Sequence, residues 1–286
     1  MTTSQQDARD FLVSRRGRVT PEKAGLPVYG GNRRVPGLRR EEVAMLAGVS
    51  VDYYNRLERG NLAGASESVL EAISRALLLD DAEREHLFDL ARAAGPGLPS
   101  RRRAGSPAVR ESMRTLVDAV TDGAAQLRNG RGDIVASNAL TRELFAMIFE
   151  APGAPNHSRF LFLDPRARDF HPNWERIAAD NAAMLRTEAG RNPHDRGLSD
   201  LVGELSTRSE EFRTYWAQHN VRLHYTGTKV FNHPEVGLIE LDYNGLQLPA
   251  DPGLSMTIYT AAPGSADAEK LQLLSTLAAT RESVSG

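Results

Sequence analysis

The chain has 286 residues, enough for about two domains of ordinary size, and its 41% hydrophobic content supports packed cores. It has no cysteine, which excludes disulfides, thiol catalysis and cysteine-based metal sites and fits a reducing cytoplasm. The net charge of −2 hides an asymmetry. Residues 1–103 carry 17 Lys+Arg against 14 Asp+Glu, a balance of +3, and residues 104–286 carry 18 against 23, a balance of −5. Positive potential suited to phosphate therefore gathers in the first part. The opening segment MTTSQQDARDFLVSRR lacks the apolar run and cleavage site of a secretory signal. No apolar stretch is long enough to span a bilayer, so a cytoplasmic protein with no membrane partner is expected.

Residues 1–94 read as an all-α bundle of five helices. Ser4 and Asp7 have capping-box spacing, with Ala8, Phe11 and Leu12 on one face behind them. Thr20-Pro21 and Leu26-Pro27 interrupt the helical pattern. From Val35 to Gly60, VPGLRREEVAMLAGVSVDYYNRLERG reads as two short helices around a tight turn. Leu38, Val43, Leu46 and Ala47 give the first an apolar stripe. Gly48 can take the positive φ that ends it, Ser50 is a natural N-cap for the second, and Gly60 stops that one. A helix, a short glycine turn and a capped helix is the pattern of a DNA-reading helix-turn-helix; a plain helical hairpin is the bland alternative. Ser66 caps a further helix carrying Val69, Leu70, Ile73, Ala76 and Leu77, and Asp80 with Glu83 opens another carrying Leu87, Leu90 and Ala91.

Residues 95–109, GPGLPSRRRAGSPAV, read as a linker. Residues 110–286 change character. Gln126 to Asn138 suggests two short strands joined by Asn129-Gly130. Helices are expected over 139–149, 174–188, 198–206 and 210–218, then strands over 222–231, 237–243 and 255–261, and a last helix over 266–279. This is an α+β order with an antiparallel sheet.

The motif VPGLRREEVAMLAGVSVDYYNRLERGN resembles the DNA-binding domain of the Xre-type, lambda-repressor-like regulators, and more narrowly the MmyB-like branch. The segments NHSRFLFLDPRARDFHPNWERIAADNAAMLR, LVGELSTRSEEFRTYWAQHNVRLHYTGTKVFNHPEVG, LIELDYNGLQLPADPG and IYTAAPGSADAEKLQLL agree with that branch, so the resemblance runs from about Phe11 to Leu274. It implies a PAS-like C-terminal ligand-binding domain, which holds a fatty acid in part of the family. One departure is Ala124-Ala125-Gln126-Leu127-Arg128, where relatives carry a more apolar strand.

In such a fold the second helix enters the major groove with its N-terminal residues toward the bases. Ser50, Val51, Asp52, Asn55 and Arg56 are the outward positions. Arg56 suits a bidentate contact to guanine, Val51 a thymine methyl, and Asp52 either a cytosine or a favourable first-turn charge. Tyr53 is expected at a phosphate or sugar, Tyr54 inside with Leu57, and Glu58 in a structural pair. Arg33, Arg34, Arg39 and Arg40 are phosphate candidates. Arg15, Arg16 and Arg18 form either a second set or a solvated face. One head grips one half-site, so a homodimer on a double-stranded operator is expected.

Aromatic residues cluster between residues 145 and 216. Most will be core, yet an acyl-chain pocket needs such walls. Phe149, Phe160, Phe162, Trp174 and Trp216 are the wall candidates, with Arg213 or Arg222 to clamp a carboxylate. No cofactor is expected beyond a bound fatty acid. Asp164, His171, His194, Asp195, His219, His224 and His233 supply titratable groups, but none sits in a nucleophile elbow, phosphate loop or metal motif. An enzyme is therefore the weaker alternative, as is a C-terminal half that only dimerises.

Overall fold

In the computed structural model, which describes residues 3–27, 36–95, 109–222 and 226–285, the N-terminal part folds into five helices. These are α1 (Thr3–Arg18), α2 (Arg40–Leu46), α3 (Val51–Glu58), α4 (Glu67–Ala76) and α5 (Asp81–Ala94). Their starts are chemically marked. Ser50 accepts a hydrogen bond from the Tyr53 amide, Ser66 accepts one from the Val69 amide, and Asp80 with Glu83 forms a reciprocal capping box. Gly48 (φ +65°) and Gly60 (φ +88°) turn the chain after α2 and α3. A Cβ on Gly60 would lie 2.0 Å from the Gln5 carbonyl oxygen, so this close approach needs glycine. Phe11, Leu12, Val43, Tyr54, Leu57, Ile73 and Leu87 are buried together as the core. Each contributes roughly 1.5–3 kcal/mol by leaving water.

The remaining elements follow in order. They are α6 (Glu111–Asp118), β1 (Ala124–Asn129), β2 (Ile134–Ser137), α7 (Ala139–Leu144), α8 (Ala146–Glu150), α9 (His157–Leu163), α10 (Ala167–Phe170) and α11 (Trp174–Arg191). Then come α12 (Arg196–Arg208), α13 (Glu210–Ala217), β3 (Thr226–His233), β4 (Gly237–Gln247), β5 (Leu254–Thr260) and α14 (Ala266–Ser285). The five strands form one antiparallel sheet in the order β2-β1-β5-β4-β3. Strand alternation gives the sheet two different faces. On one, Ala125, Leu127 and Met256 pack against Met113 and Val117 of α6. On the other, Gln126, Thr257, Tyr259, Tyr243, Lys229 and Phe231 share a register-defined surface.

The chain divides into two compact units. The second holds the sheet and most of its helices. The first holds residues Met1–Arg102 together with Ala182–Asp195 and Thr214–Leu223. Val221 therefore joins the core of the first unit, although it lies far along the sequence. Helix α11 supplies residues to both units.

Several local expectations change. The β1–β2 connection runs through Gly130 to Asp133, and the positive φ falls on Gly132 (+81°), not on Gly130. The Asn129 side chain accepts from the Arg131 and Asp133 amides, which builds this wider turn. The expected helix over 139–149 breaks at Phe145 (φ −116°, ψ 31°). Residues 157–170 form α9 and α10, which hydrophobic spacing did not reveal. Of the strand expected over 222–231, residues 223–225 lie outside the described residues and β3 covers Thr226–His233, while β4 extends to Gln247. Of the expected linker, residues 96–108 lie outside the described residues.

Candidate functional site

The reading head is α2, its glycine turn and α3. The Ser50 hydroxyl is spent on the cap, so it fixes the helix start. Val51 is 39% exposed, and Asp52 and Arg56 are exposed beside it. The Arg56 guanidinium lies 4.7 Å from the centre of the Tyr53 ring, a cation–π contact that restrains it. Tyr54 and Leu57 are fully buried. Asn55 is half-buried, with its side-chain oxygen shielded from solvent.

Glu58 is buried and holds two arginines. Arg16 Nε donates to it at 2.5 Å and Arg40 Nε at 2.6 Å. Burial opposes its charge, but the hydrogen bonds from Arg16 and Arg40 outweigh this and hold the carboxyl below the ordinary glutamate range. Arg40 is thus a tethered cation and Arg39 an exposed one. Arg33 and Arg34 lie outside the described residues. Arg15 and Arg16 form neither a phosphate set nor a solvated face. Arg15 is 2% exposed, pairs with Glu83 at 2.8 Å and donates to the His219 carbonyl oxygen. Arg18 donates to Asn220 and to the Gln218 carbonyl oxygen.

In the second unit a cavity of about 240 Å³ opens between α7–α10 and the β3–β4 turn. Leu144, Phe145, Ile148, Phe160 and Phe170 supply its apolar lining. The break at Phe145 places that ring at the centre of an edge-on cluster with Phe170, Phe231, Tyr259 and His157. The charged groups on the lining are paired. Arg281 binds Glu143 and Glu235, and Arg166 binds Glu150 and Asp164.

Beyond those rings the same sheet face turns polar. His157 Nε2 lies 3.1 Å from Gln126 Oε1, and burial pushes its pKa well below the ordinary histidine value. The Lys229 ammonium stands 4.9 Å from the Tyr243 ring centre and 6.0 Å from that of Tyr259. Burial is the largest influence on it, the Arg128 charge adds to this, and Asp180 opposes; its pKa falls to about 7. Thr257 is 1% exposed, and its hydroxyl has no hydrogen-bond partner among the described residues.

The candidate ligand residues separate. Phe160 lines the cavity. Phe149 is half-buried on α8 and does not line it. Phe162 packs edge-on against Trp174 and Phe212, and Trp174 donates to the Leu161 carbonyl oxygen, so these rings form a neighbouring core wall. Arg213 is exposed and donates to the Ser206 carbonyl oxygen. Trp216 and Arg222 fall in the first unit, where Arg186 stacks 3.9 Å over Trp216. Arg128, Lys229 and Thr257 were not among the candidate residues, and the structure sets them on the same face of the sheet. Strand parity was the available signal, since Lys229 alternates in step with Phe231 and His233.

Of the titratable groups, His171 and His233 pack against the Phe170 ring. Asp164 is held by Arg166, His219 lies in the first unit and His233 in the second, and His224 is outside the described residues. Among the described residues no group of three or more His, Cys, Asp or Glu could hold a metal ion, and no helix is long and apolar enough to cross a membrane.

A capped second helix on a helical bundle, joined to an α+β unit with an aromatic cavity, defines a helix-turn-helix transcription regulator with a ligand-binding domain. A helix-turn-helix domain model matches residues 10–87, and the MmyB-like transcription regulator ligand binding domain model matches residues 109–274. The chain belongs to the MmyB-like transcription regulators. No curated protein matches it.

Proposed function

We propose that the protein is a cytoplasmic homodimer that reads double-stranded operator DNA through α3. Its C-terminal unit, of PAS-like form, binds a fatty acid that alters operator affinity. The observation that carries this reading is a capped α3 exposing Val51, Asp52 and Arg56 in a chain that also holds an aromatic-lined cavity. Arg56 and Asp52 read base edges, Asn55 and Tyr53 support the approach, and Arg33, Arg34, Arg39 and Arg40 meet phosphates. Two heads spaced by about 34 Å would engage both half-sites. The strand order β2-β1-β5-β4-β3 supports the PAS-like assignment. The cavity is slightly smaller than the ~300 Å³ at the lower end of small-molecule sites, so it suits part of an acyl chain. The protein acts by binding, not by turnover.

A fatty acid shifts DNA binding only if it favours one arrangement of the protein over another. The test is an operator titration followed by fluorescence anisotropy, with and without saturating fatty acid. A change in affinity of about fivefold or more is expected. Unchanged affinity would sink the regulatory reading.

A further inference from the structure

We propose that Lys229 and Arg128 form the seat for a carboxylate on the inner face of the sheet, so that an acyl ligand places its acid group there and points its tail toward Phe145 and Phe170. This rests on the fatty-acid reading above and adds where each end of the ligand lies.

The face is built by register. Gln126 and Arg128 of β1 stand opposite Thr257 and Ser255 of β5. Tyr259 stands opposite Tyr243, and Thr257 opposite Gly245. Lys229 projects from β3 onto this same face, where its ammonium lies over the Tyr243 and Tyr259 rings. Gly245, which stands opposite Thr257, contributes no side chain there, and the buried Thr257 hydroxyl has no hydrogen-bond partner among the described residues.

The charge on this face is one-sided. Neither Lys229 nor Arg128 forms an ion pair among the described residues, and the Arg128 charge bears on Lys229. Asp180 is the carboxylate whose field reaches Lys229, and it does not overcome burial. His157 is neutral and engaged with Gln126. Two partly buried cations that Asp180 offsets only in part, beside a buried hydroxyl without a hydrogen-bond partner among the described residues, are costly in a folded protein. An anion with an acceptor for the hydroxyl satisfies all three. The opposite end of the face has the reverse character. There Glu143, Glu150 and Glu235 already hold Arg281 and Arg166, so carboxylates outnumber the arginines and repel an acid group. The rings of Phe145, Phe170 and Phe231 bridge the two ends.

The test titrates full-length protein with palmitate and with methyl palmitate. The unsubstituted protein should bind the acid at least tenfold more tightly than the ester. Lys229→Met should bring that ratio near one, Arg128→Met should reduce it, Lys229→Arg should keep it, and Arg213→Met should leave it unchanged. Ligand-free Lys229→Met should melt at the same temperature as the parent or higher, because it removes an uncompensated charge. Equal affinity for acid and ester, or a preference that survives Lys229→Met, overturns the seat and leaves the fatty-acid reading standing. Failure of both probes to bind overturns the fatty-acid reading and the seat with it. A lower melting temperature for Lys229→Met makes the lysine a structural residue and also overturns the proposal.

Discussion

Arg56 lies over the Tyr53 ring, and that stacking restrains a long side chain before any DNA arrives. Arg56→Ala should weaken operator binding by about 1–3 kcal/mol while changing affinity for unrelated DNA much less. Competitive anisotropy with the two DNAs measures both. Glu58 works through burial. Glu58→Gln leaves Arg16 and Arg40 without their anion, and the expected loss is roughly 3 kcal/mol. Thermal unfolding should show the midpoint falling by about 10 °C or more. Buried histidines contribute to loss of stability in acid. Burial pushes His86 and His171 to about 3. Each is neutral when folded and protonates near 6.5 when unfolded, so the unfolded state binds more protons between those values. Stability is full above about pH 6.5 and falls as pH drops through that window, by up to about 1.4 kcal/mol per unit for each histidine. The melting temperature should be lower at pH 5 than at pH 7. His171→Phe, set among Phe160, Phe170 and Phe231, should shrink that difference.

At the level of elements, the two helices of the reading head were legible because every signal in them is local. Ser50, Gly48 and Gly60 act within one turn of themselves, and Asp80 with Glu83 does the same for α5. The break between α7 and α8 was not legible, because Phe145 leaves the helix to enter a cluster of rings drawn from α9, α10, β3 and β5. Gly190 shows the same dependence on distant partners. A Cβ there would sit 2.4 Å from the His86 ring. Gly190→Ala gains about 1 kcal/mol of helix propensity and loses about 1–3 through overpacking, so the net effect should be destabilising. A double-mutant cycle with His86→Ala should be non-additive, since the smaller residue removes the clash.

At the scale of the molecule, the first unit is not one stretch of chain. Residues 182–195 and 214–223 complete it, bringing Val221 into its core, the His219 carbonyl to Arg15, and Arg191 to Glu85 and Asp89. A fragment of residues 1–102 should therefore be less stable than the same unit in the full chain, by about 3 kcal/mol or more from one buried valine and one charged hydrogen bond. Circular dichroism melts of the two proteins measure it. A fragment melting with the full chain's first unit would show that these segments add nothing.

The sequence by itself determined the helix-turn-helix, its caps, the buried Tyr54 and Leu57, the α+β order of the second half and the family. Capping, glycine turns and apolar periodicity act over a few residues and are written in adjacent letters. Only the tertiary structure decided that Arg15 and Arg16 turn inward, that Arg213 points outward, and that Arg128 and Lys229 fall on one face of the sheet. Those outcomes depend on strand register and on contacts across up to two hundred residues. An arginine has the same composition and local spacing whether a buried carboxylate or solvent lies in front of it, so its role is set by what the fold brings there.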